Sequence, residues 1–140
     1  MEARDAISLI SRIRGKVNQF IVSEMAEAGM EGLGTSHGDI LYALFRSTRL
    51  TMAEVAQRIG KDKSTVTSLV DKLARLGYLV RERDTGDSRV VYLELTQKGK
   101  DLEPVFEEIS RDVLERFYLN ISDQERENLL GILKKIHSNF

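Results

Sequence analysis

The sequence of 140 residues contains no cysteine, a single proline and no long hydrophobic run. The absence of cysteine excludes disulfide scaffolds, thiolate metal sites, cysteine nucleophiles and thiol redox switches. The longest apolar run, Ile40–Phe45, is six residues long, whereas a membrane-spanning helix needs about 20. The first residues mix charges into their apolar positions, unlike a secretory signal. We therefore expect a cytoplasmic protein that has no membrane partner.

The composition is that of one globular domain with an uneven charge distribution. Hydrophobic residues make up 41% and charged residues 31% of the chain. Folding at this length should remove about 68–70% of the unfolded surface from water, which is enough for a core. The net charge is −1, but residues 46–100 hold 12 Lys/Arg and 7 Asp/Glu, while the remainder is net −6. A basic middle segment indicates a polyanionic partner, although an unevenly charged solvated surface explains it equally well.

Apolar residues recur with a helical period over most of the chain. The predicted helices are Arg4–Ala28, a segment from Thr35 that carries Ile40–Phe45, Thr51–Gly60, Asp62–Leu76, a long helix after Thr96 that carries Leu102 to Phe117, and the segment after Ser122. The period changes to two in Leu79–Arg83 and Val90–Leu95, which predicts two strands. The turn-forming residues between these strands predict a β-hairpin. The expected fold class is therefore mainly α with one small hairpin.

A short helix, a glycine-bearing turn, a second helix and a hairpin follow one another in the order of a winged helix-turn-helix unit. In such a unit the second helix enters the major groove of DNA, and the hairpin, or wing, reaches the adjacent backbone or minor groove. We expect residues 35–100 to form this DNA-binding unit and residues 1–34 and 101–140 to form a helical dimerisation region. Ile136 and Phe140 predict burial against a second copy, although packing within one chain also accounts for them.

The second helix of this unit has one polar face. At 100° per residue, its apolar side chains form a single stripe: Val66, Leu69, Val70 and Leu73. The candidate DNA-reading residues are the hydroxyls on the other faces: Ser64, Thr65, Thr67 and Ser68. Three lysines suit contacts with the DNA backbone: Lys61, Lys63 and Lys72. The alternative interpretation is that the hydroxyl residues cap the helix and that the rest is a solvated face.

The segment Thr51–Gly99 resembles the MarR family of winged helix-turn-helix transcriptional regulators. Five stretches carry the resemblance: Met52–Ala56, Lys63–Leu73, Leu76–Arg81, Asp87–Arg89 and Leu95–Gly99. It implies a homodimer in which the first and last two helices of each chain are knitted together. It also implies that Arg89 at the wing tip enters the minor groove and is held by Asp87, and we include Arg83 among the wing residues. Relatives often carry a basic residue at the place of Ser68, so the operator cannot be inferred from theirs.

The resemblance implies a sequence-specific transcriptional regulator that binds a pseudo-palindromic operator in double-stranded DNA as a homodimer. We expect a repressor that is relieved by a small effector, and relatives suggest an aromatic or phenolic anion. No cofactor or metal is expected, because His37 and His137 make a thin ligand set without thiolates. An enzyme is not expected either, because Asp84 and Asp87 lie in a turn without a histidine partner. The alternative function is a winged-helix module that binds protein instead of DNA.

Overall fold

The helices and strands follow one another in the order that the sequence predicts. The computed structural model describes residues 1–140. Its elements are α1 (Asp5–Glu27), α2 (Thr35–Phe45), β1 (Leu50–Thr51), α3 (Met52–Ile59), α4 (Lys63–Arg75), β2 (Leu79–Arg83), β3 (Val91–Leu95), α5 (Gln97–Lys100), α6 (Glu103–Phe117) and α7 (Asp123–Ser138). The mainly helical fold class with a small antiparallel sheet is confirmed. None of the helices has the length and apolar character that crossing a membrane requires.

Local hydrogen bonds determine where α3 and α7 begin. Thr51 Oγ1 accepts a hydrogen bond from the Glu54 N–H at 3.1 Å, and the Glu54 carboxylate accepts one from the Thr51 N–H at 3.0 Å. Ser122 and Glu125 form the same reciprocal pair at the start of α7. The backbone N–H donors stabilise both carboxylates and thereby lower the pKa values of Glu54 and Glu125. Each of these two reciprocal pairs is a capping box.

Most of the core lies in the winged unit, between α2, α4 and the sheet, and the core extends to Met25 of α1 and Ile109 of α6. The sheet is antiparallel with the order β1-β3-β2, and Leu93 of β3 faces Leu50 of β1 on one side and Arg81 of β2 on the other. Strand β1 was not predicted from the sequence because two residues are too few for a periodic signal. The largest fully buried side chains include Ile40, Leu41, Leu44, Val55, Val66, Val70, Leu73, Leu79 and Leu93. Outside this unit, α1 packs against α6.

The segment after Thr96 contains a short helix in addition to the long helix that the sequence predicts. A one-turn helix, α5, begins at Thr96, whose Oγ1 accepts a hydrogen bond from the Gly99 N–H at 3.2 Å. Helix α6 then begins separately, with Pro104 in its first turn. Proline lacks an N–H and is tolerated at a helix start but not in a helix interior. The long helix that Leu102 to Phe117 predict is present as α6, and the separate one-turn helix α5 before it was not predicted.

Helix α5 anchors the base of the wing through a close backbone contact. Thr96 Oγ1 donates a hydrogen bond to the Gly77 carbonyl at 2.5 Å, just beyond the end of α4. Gly99 is buried against the neighbouring Tyr78, and a methyl group at Gly99 would overlap the Tyr78 carbonyl oxygen. Only glycine lets α5 lie this close to the chain that connects α4 to β2.

We expect Gly99→Ala to destabilise the protein by about 1–3 kcal/mol or more, because backbone atoms must move to relieve the overlap. Gly34→Ala is the matched control, because its nearest neighbour is 3.9 Å away and its φ is −95°. The control should change stability by less than about 1 kcal/mol. Urea unfolding at equilibrium measures both, and equal unfolding midpoints for the two variants would contradict the proposed contact.

Candidate nucleic-acid interface

Helix α4 turns one face to the core and the other to solvent, as the sequence predicts. Val66, Val70 and Leu73 are buried, whereas Ser64 and Ser68 are exposed. The helix begins at Asp62, whose carboxylate accepts hydrogen bonds from the Thr65 N–H at 2.7 Å and from Ser64 Oγ at 3.0 Å. These donors hold the pKa of Asp62 below its usual range. A polar helix face, capped at its own start, is therefore available to a partner.

The four hydroxyl residues of α4 are not equivalent. Ser64 donates its hydroxyl hydrogen to Asp62, and half-buried Thr67 donates its own to the Lys63 carbonyl at 2.8 Å, one turn earlier in the helix. The hydroxyls of Thr65 and Ser68 are exposed and make no hydrogen bond within the chain. Thr65 and Ser68 therefore keep both their donor and their acceptor capacity for a partner.

The three predicted backbone-binding lysines lie in three different places. Lys63 lines a groove between α4 and the hairpin. Lys72 lies on the opposite flank of α4, where its ammonium donates to the Gly32 carbonyl at 2.6 Å. Lys61 lines a separate cavity beside Asp39. Of the three lysines, only Lys63 therefore lies in the groove. Lys72 is on the other flank of the helix and points towards the α1–α2 connection.

Side chains brace the tip of the hairpin, which forms the wing. Asp84 accepts hydrogen bonds from the N–H groups of Gly86 at 3.0 Å and Asp87 at 2.9 Å. Arg83 donates to the Ser88 carbonyl at 2.7 Å. These bonds close the turn between β2 and β3 with local partners only.

Arg89 and Asp87 form the bidentate contact that the resemblance implies. The Nε and Nη2 atoms of Arg89 donate to the two carboxylate oxygens of Asp87, each at 3.0 Å. The Arg89 hydrogen bonds lower the pKa of Asp87, and the Asp87 carboxylate raises the pKa of Arg89. The Arg89 side chain is 89% exposed. An oriented, solvent-accessible cation therefore stands at the wing tip.

A basic groove of about 620 Å³ separates α4 from the wing. Side chains alternate along β2, so Arg81 and Arg83 share the sheet face of buried Leu79 but lie beyond the core. The groove is lined by Met52, Lys63, Thr67, Arg81, Arg83, Arg89 and Val91. Four of these seven residues are cations and none is a carboxylate, which suits an anion such as a backbone phosphate.

An ion pair that the sequence analysis missed joins α4 to the wing. Arg81 of β2 donates through Nη1 to a carboxylate oxygen of Asp71 on α4. Two features of the sequence were compatible with this ion pair. Asp71 lies on the polar side of α4, and Arg81 is two residues after buried Leu79, on the same face of the strand. Neither residue type is unusual on a surface, so the sequence alone did not indicate that they meet.

A second cavity, of about 470 Å³, lies between α1, α2 and α6. Its apolar lining includes Ile21, Met25, Phe106 and Ile109, and its charged lining consists of Arg14, Asp39 and Lys61. Partial desolvation raises the pKa of Asp39, and nearby Lys61 opposes this shift. Of the residues that line this cavity, only Lys61 was assigned a role from the sequence, as a contact with the DNA backbone, because the cavity walls come from distant segments of the chain.

His37 has a structural role at the start of α2. Its Nδ1 accepts a hydrogen bond from the Gly34 N–H at 3.0 Å. Desolvation, and then the charge of Lys72, lower the pKa of His37.

A short helix that supports a second, polar-faced helix beside a basic wing defines a winged helix-turn-helix protein. Residues 31–90 match the family model described as MarR family. The chain is 32% identical over 102 residues to the HTH-type transcriptional regulator SarZ of Staphylococcus epidermidis, an alignment that spans 72% of this chain and 68% of SarZ. The chain thus belongs to the MarR family and is a transcriptional regulator of the MarR type, not an enzyme.

Solved structures of the family share the fold over nearly the whole chain. A MarR transcriptional regulator from Methanosarcina mazei Go1 is 25% identical, with a TM-score of 0.81 over 97% of this chain and 96% of that one. The S. aureus MepR–DNA complex superimposes with a TM-score of 0.83 over 100% of this chain and 99% of that one, at 21% identity. The terminal helices, which the sequence resemblance did not cover in detail, therefore belong to the same fold.

Proposed function

We propose that the chain binds a specific operator in double-stranded DNA through α4 and the wing. The basic groove between these two elements carries the proposal, because four cations line it beside a polar helix face. The SarZ relative is described as a transcriptional regulator, and the MepR neighbour was solved with DNA bound. A protein-binding module would have no comparable need for a groove that is lined by cations and lacks carboxylates.

Each part of the interface has its own role in this proposal. Thr65 and Ser68 of α4 read base edges in the major groove, because their hydroxyls are exposed and free. Lys63 and Arg83 bind phosphates and so position the protein on the duplex. Arg89 extends from the wing into the minor groove while Asp87 orients it.

The other residues that were predicted to bind DNA make additional contacts in the proposed complex. Ser64 and Thr67 bind DNA as acceptors, because their donors are already engaged. Lys61 must leave the cavity that it lines before it can reach a phosphate. Lys72 must first release the Gly32 carbonyl.

The protein acts as a homodimer in this proposal. Helix α7 buries none of its side chains. The exposed apolar residues of the terminal helices are Ile7, Leu9, Ile10 and Ile13 of α1, Leu114 and Phe117 of α6, and Leu130, Ile132, Leu133 and Ile136 of α7. A second copy would cover these side chains, because exposed apolar patches commonly mark sites of protein association. Two winged units related by a two-fold axis then match a pseudo-palindromic operator with half-sites about 34–36 Å apart.

Regulation in this proposal is repression that a small aromatic or phenolic anion relieves. The cavity between α1, α2 and α6 is the binding site we assign to it, because its volume of about 470 Å³ suits a small ligand. Its apolar walls suit an aromatic ring, and Arg14 and Lys61 suit an anionic group. To relieve repression, the ligand must bind the protein more tightly when the two winged units have one separation than when they have another. Its effect on DNA binding cannot exceed this difference in ligand affinity.

We expect the protein to bind duplexes selected from a random pool, with the logarithm of affinity falling linearly as the logarithm of salt concentration rises. The slope should be about −0.9 per phosphate contacted. Arg89→Ala should weaken binding without lowering stability, because the side chain is exposed. Arg4→Ala, an exposed arginine outside the winged unit, is the control. Failure to bind any duplex at low salt would instead favour the protein-binding module.

We expect Ser68→Ala to change the selected sequence at one base pair in each half-site, with about 1–3 kcal/mol of discrimination lost there. Ser11→Ala is the matched control, because it removes the hydroxyl of an exposed serine outside the winged unit. The control should retain the sequence preference of the unaltered protein. Competition between labelled and unlabelled duplexes measures both, and a uniform loss over all sequences would identify Ser68 as a phosphate contact.

We expect the protein to sediment as a dimer at micromolar concentration, and Ile132→Asp to weaken the dimer by at least about tenfold. A charge at this position would be buried against the partner without a counter-ion. Lys134→Asp is the control, because it introduces the same carboxylate on the same helix at a polar position. A monomer at all concentrations, or equal effects of the two substitutions, would contradict the proposed interface.

A further inference from the structure

The Arg81–Asp71 ion pair distinguishes one cation of the basic groove from the other three. Arg83 donates to a backbone carbonyl, Lys63 has no ion-pair partner in the chain, and Arg89 is held by a carboxylate of its own hairpin. Arg81 alone is held by a carboxylate of α4. The helix that faces DNA in the proposed function therefore places a negative charge beside its own phosphate groove.

The position of Asp71 makes this charge unfavourable for binding a polyanion. Lys63, Thr67 and Asp71 are four residues apart along α4, so they form one row on the flank that faces the wing. A phosphate that approaches this row meets attraction at Lys63 and repulsion at Asp71. The carboxylate must therefore lower the general affinity for DNA, whatever the base sequence.

Stability does not account for a carboxylate at this place. The side chains of Asp71 and Arg81 are 50% and 42% exposed, and half-exposed ion pairs contribute little to the free energy of unfolding. The nearby core is complete without them, because Leu79, Leu93 and Leu73 are fully buried. A charge that weakens general DNA binding and adds little stability is expected where discrimination matters more than affinity.

We propose that Asp71 is a specificity-determining residue: it holds the Arg81 guanidinium on α4 and so withholds this cation from the phosphates of non-operator DNA. The inference rests on the proposed DNA binding. On a non-operator duplex, Arg81 then makes no phosphate contact. Operator affinity depends less on Arg81, because base contacts by α4 contribute there as well.

Asp71→Asn tests this inference, because asparagine keeps the shape of the side chain but releases the Arg81 guanidinium. We expect the variant to bind non-operator duplex at least about threefold more tightly than the unaltered protein. The salt slope on that duplex should become steeper by about 0.9, which corresponds to one more phosphate contact. The ratio of operator to non-operator affinity should fall. The double variant Asp71→Asn/Arg81→Gln should lose the extra contact and return the slope to its original value.

Glu82→Gln is the matched control for the change in net charge. Glu82 is the next residue on β2 and points to the opposite sheet face, away from α4. The control should leave both the salt slope and the affinity ratio unchanged. An ion pair with a purely structural role would instead make Asp71→Asn less stable and weaker on every duplex.

Three outcomes would overturn the inference. The first is an unchanged or shallower salt slope for Asp71→Asn, and the second is an equal effect of Glu82→Gln. The third is a double variant that retains the steeper slope, since the extra contact would then not belong to Arg81. In each case the unaltered protein still binds its operator, so the proposed function survives. Absence of all duplex binding by the unaltered protein would overturn both.

Discussion

Burial of the apolar stripe of α4 is the constraint on which the rest of the structure depends. Val66, Val70 and Leu73 must leave water, and they do so against α2 and the sheet. Once they are buried, helical geometry determines that Ser64 and Ser68 face solvent. The same core receives Leu79 from β2, and the alternation of the strand then carries Arg81 and Arg83 to the edge of the polar helix face. The candidate interface therefore consists of the exposed residues of α4 and β2 that lie next to this buried contact.

Carboxylates close to the candidate interface orient its cations. The net charge of the whole chain is −1, yet the groove between α4 and the wing is lined by four cations. Two of these cations are oriented by aspartates, Arg89 by Asp87 and Arg81 by Asp71. A third carboxylate, Asp62, occupies the start of α4. The acidic residues near the groove therefore direct its cations and cap its helix, and the net charge of the chain gives no measure of the local field.

The spacing of apolar residues in the sequence was sufficient to predict most of the fold and the face of α4 that is buried. The stripe of valines and leucines, the capping boxes and the hairpin turn each depend on residues within a few positions of one another, and all are present in the structure. The errors have equally local causes. Strand β1 has only two residues, and α5, which was not predicted, has only one turn. The phosphate contact predicted for Lys72 stays a prediction, and in the free protein Lys72 donates to a carbonyl 40 residues earlier in the chain.

The sequence by itself determined the family, the order of the elements and the face of α4 that stays polar, because these follow from local spacing and from motifs that are contiguous in the chain. Tertiary structure alone decided which charged groups meet. Arg81 reaches Asp71, Lys61 lies beside Asp39 and Lys63 joins the wing arginines only after the strand has paired and the helix has packed. Ion pairs act over a few ångströms in space, and no local sequence pattern encodes a distance between segments that folding brings together.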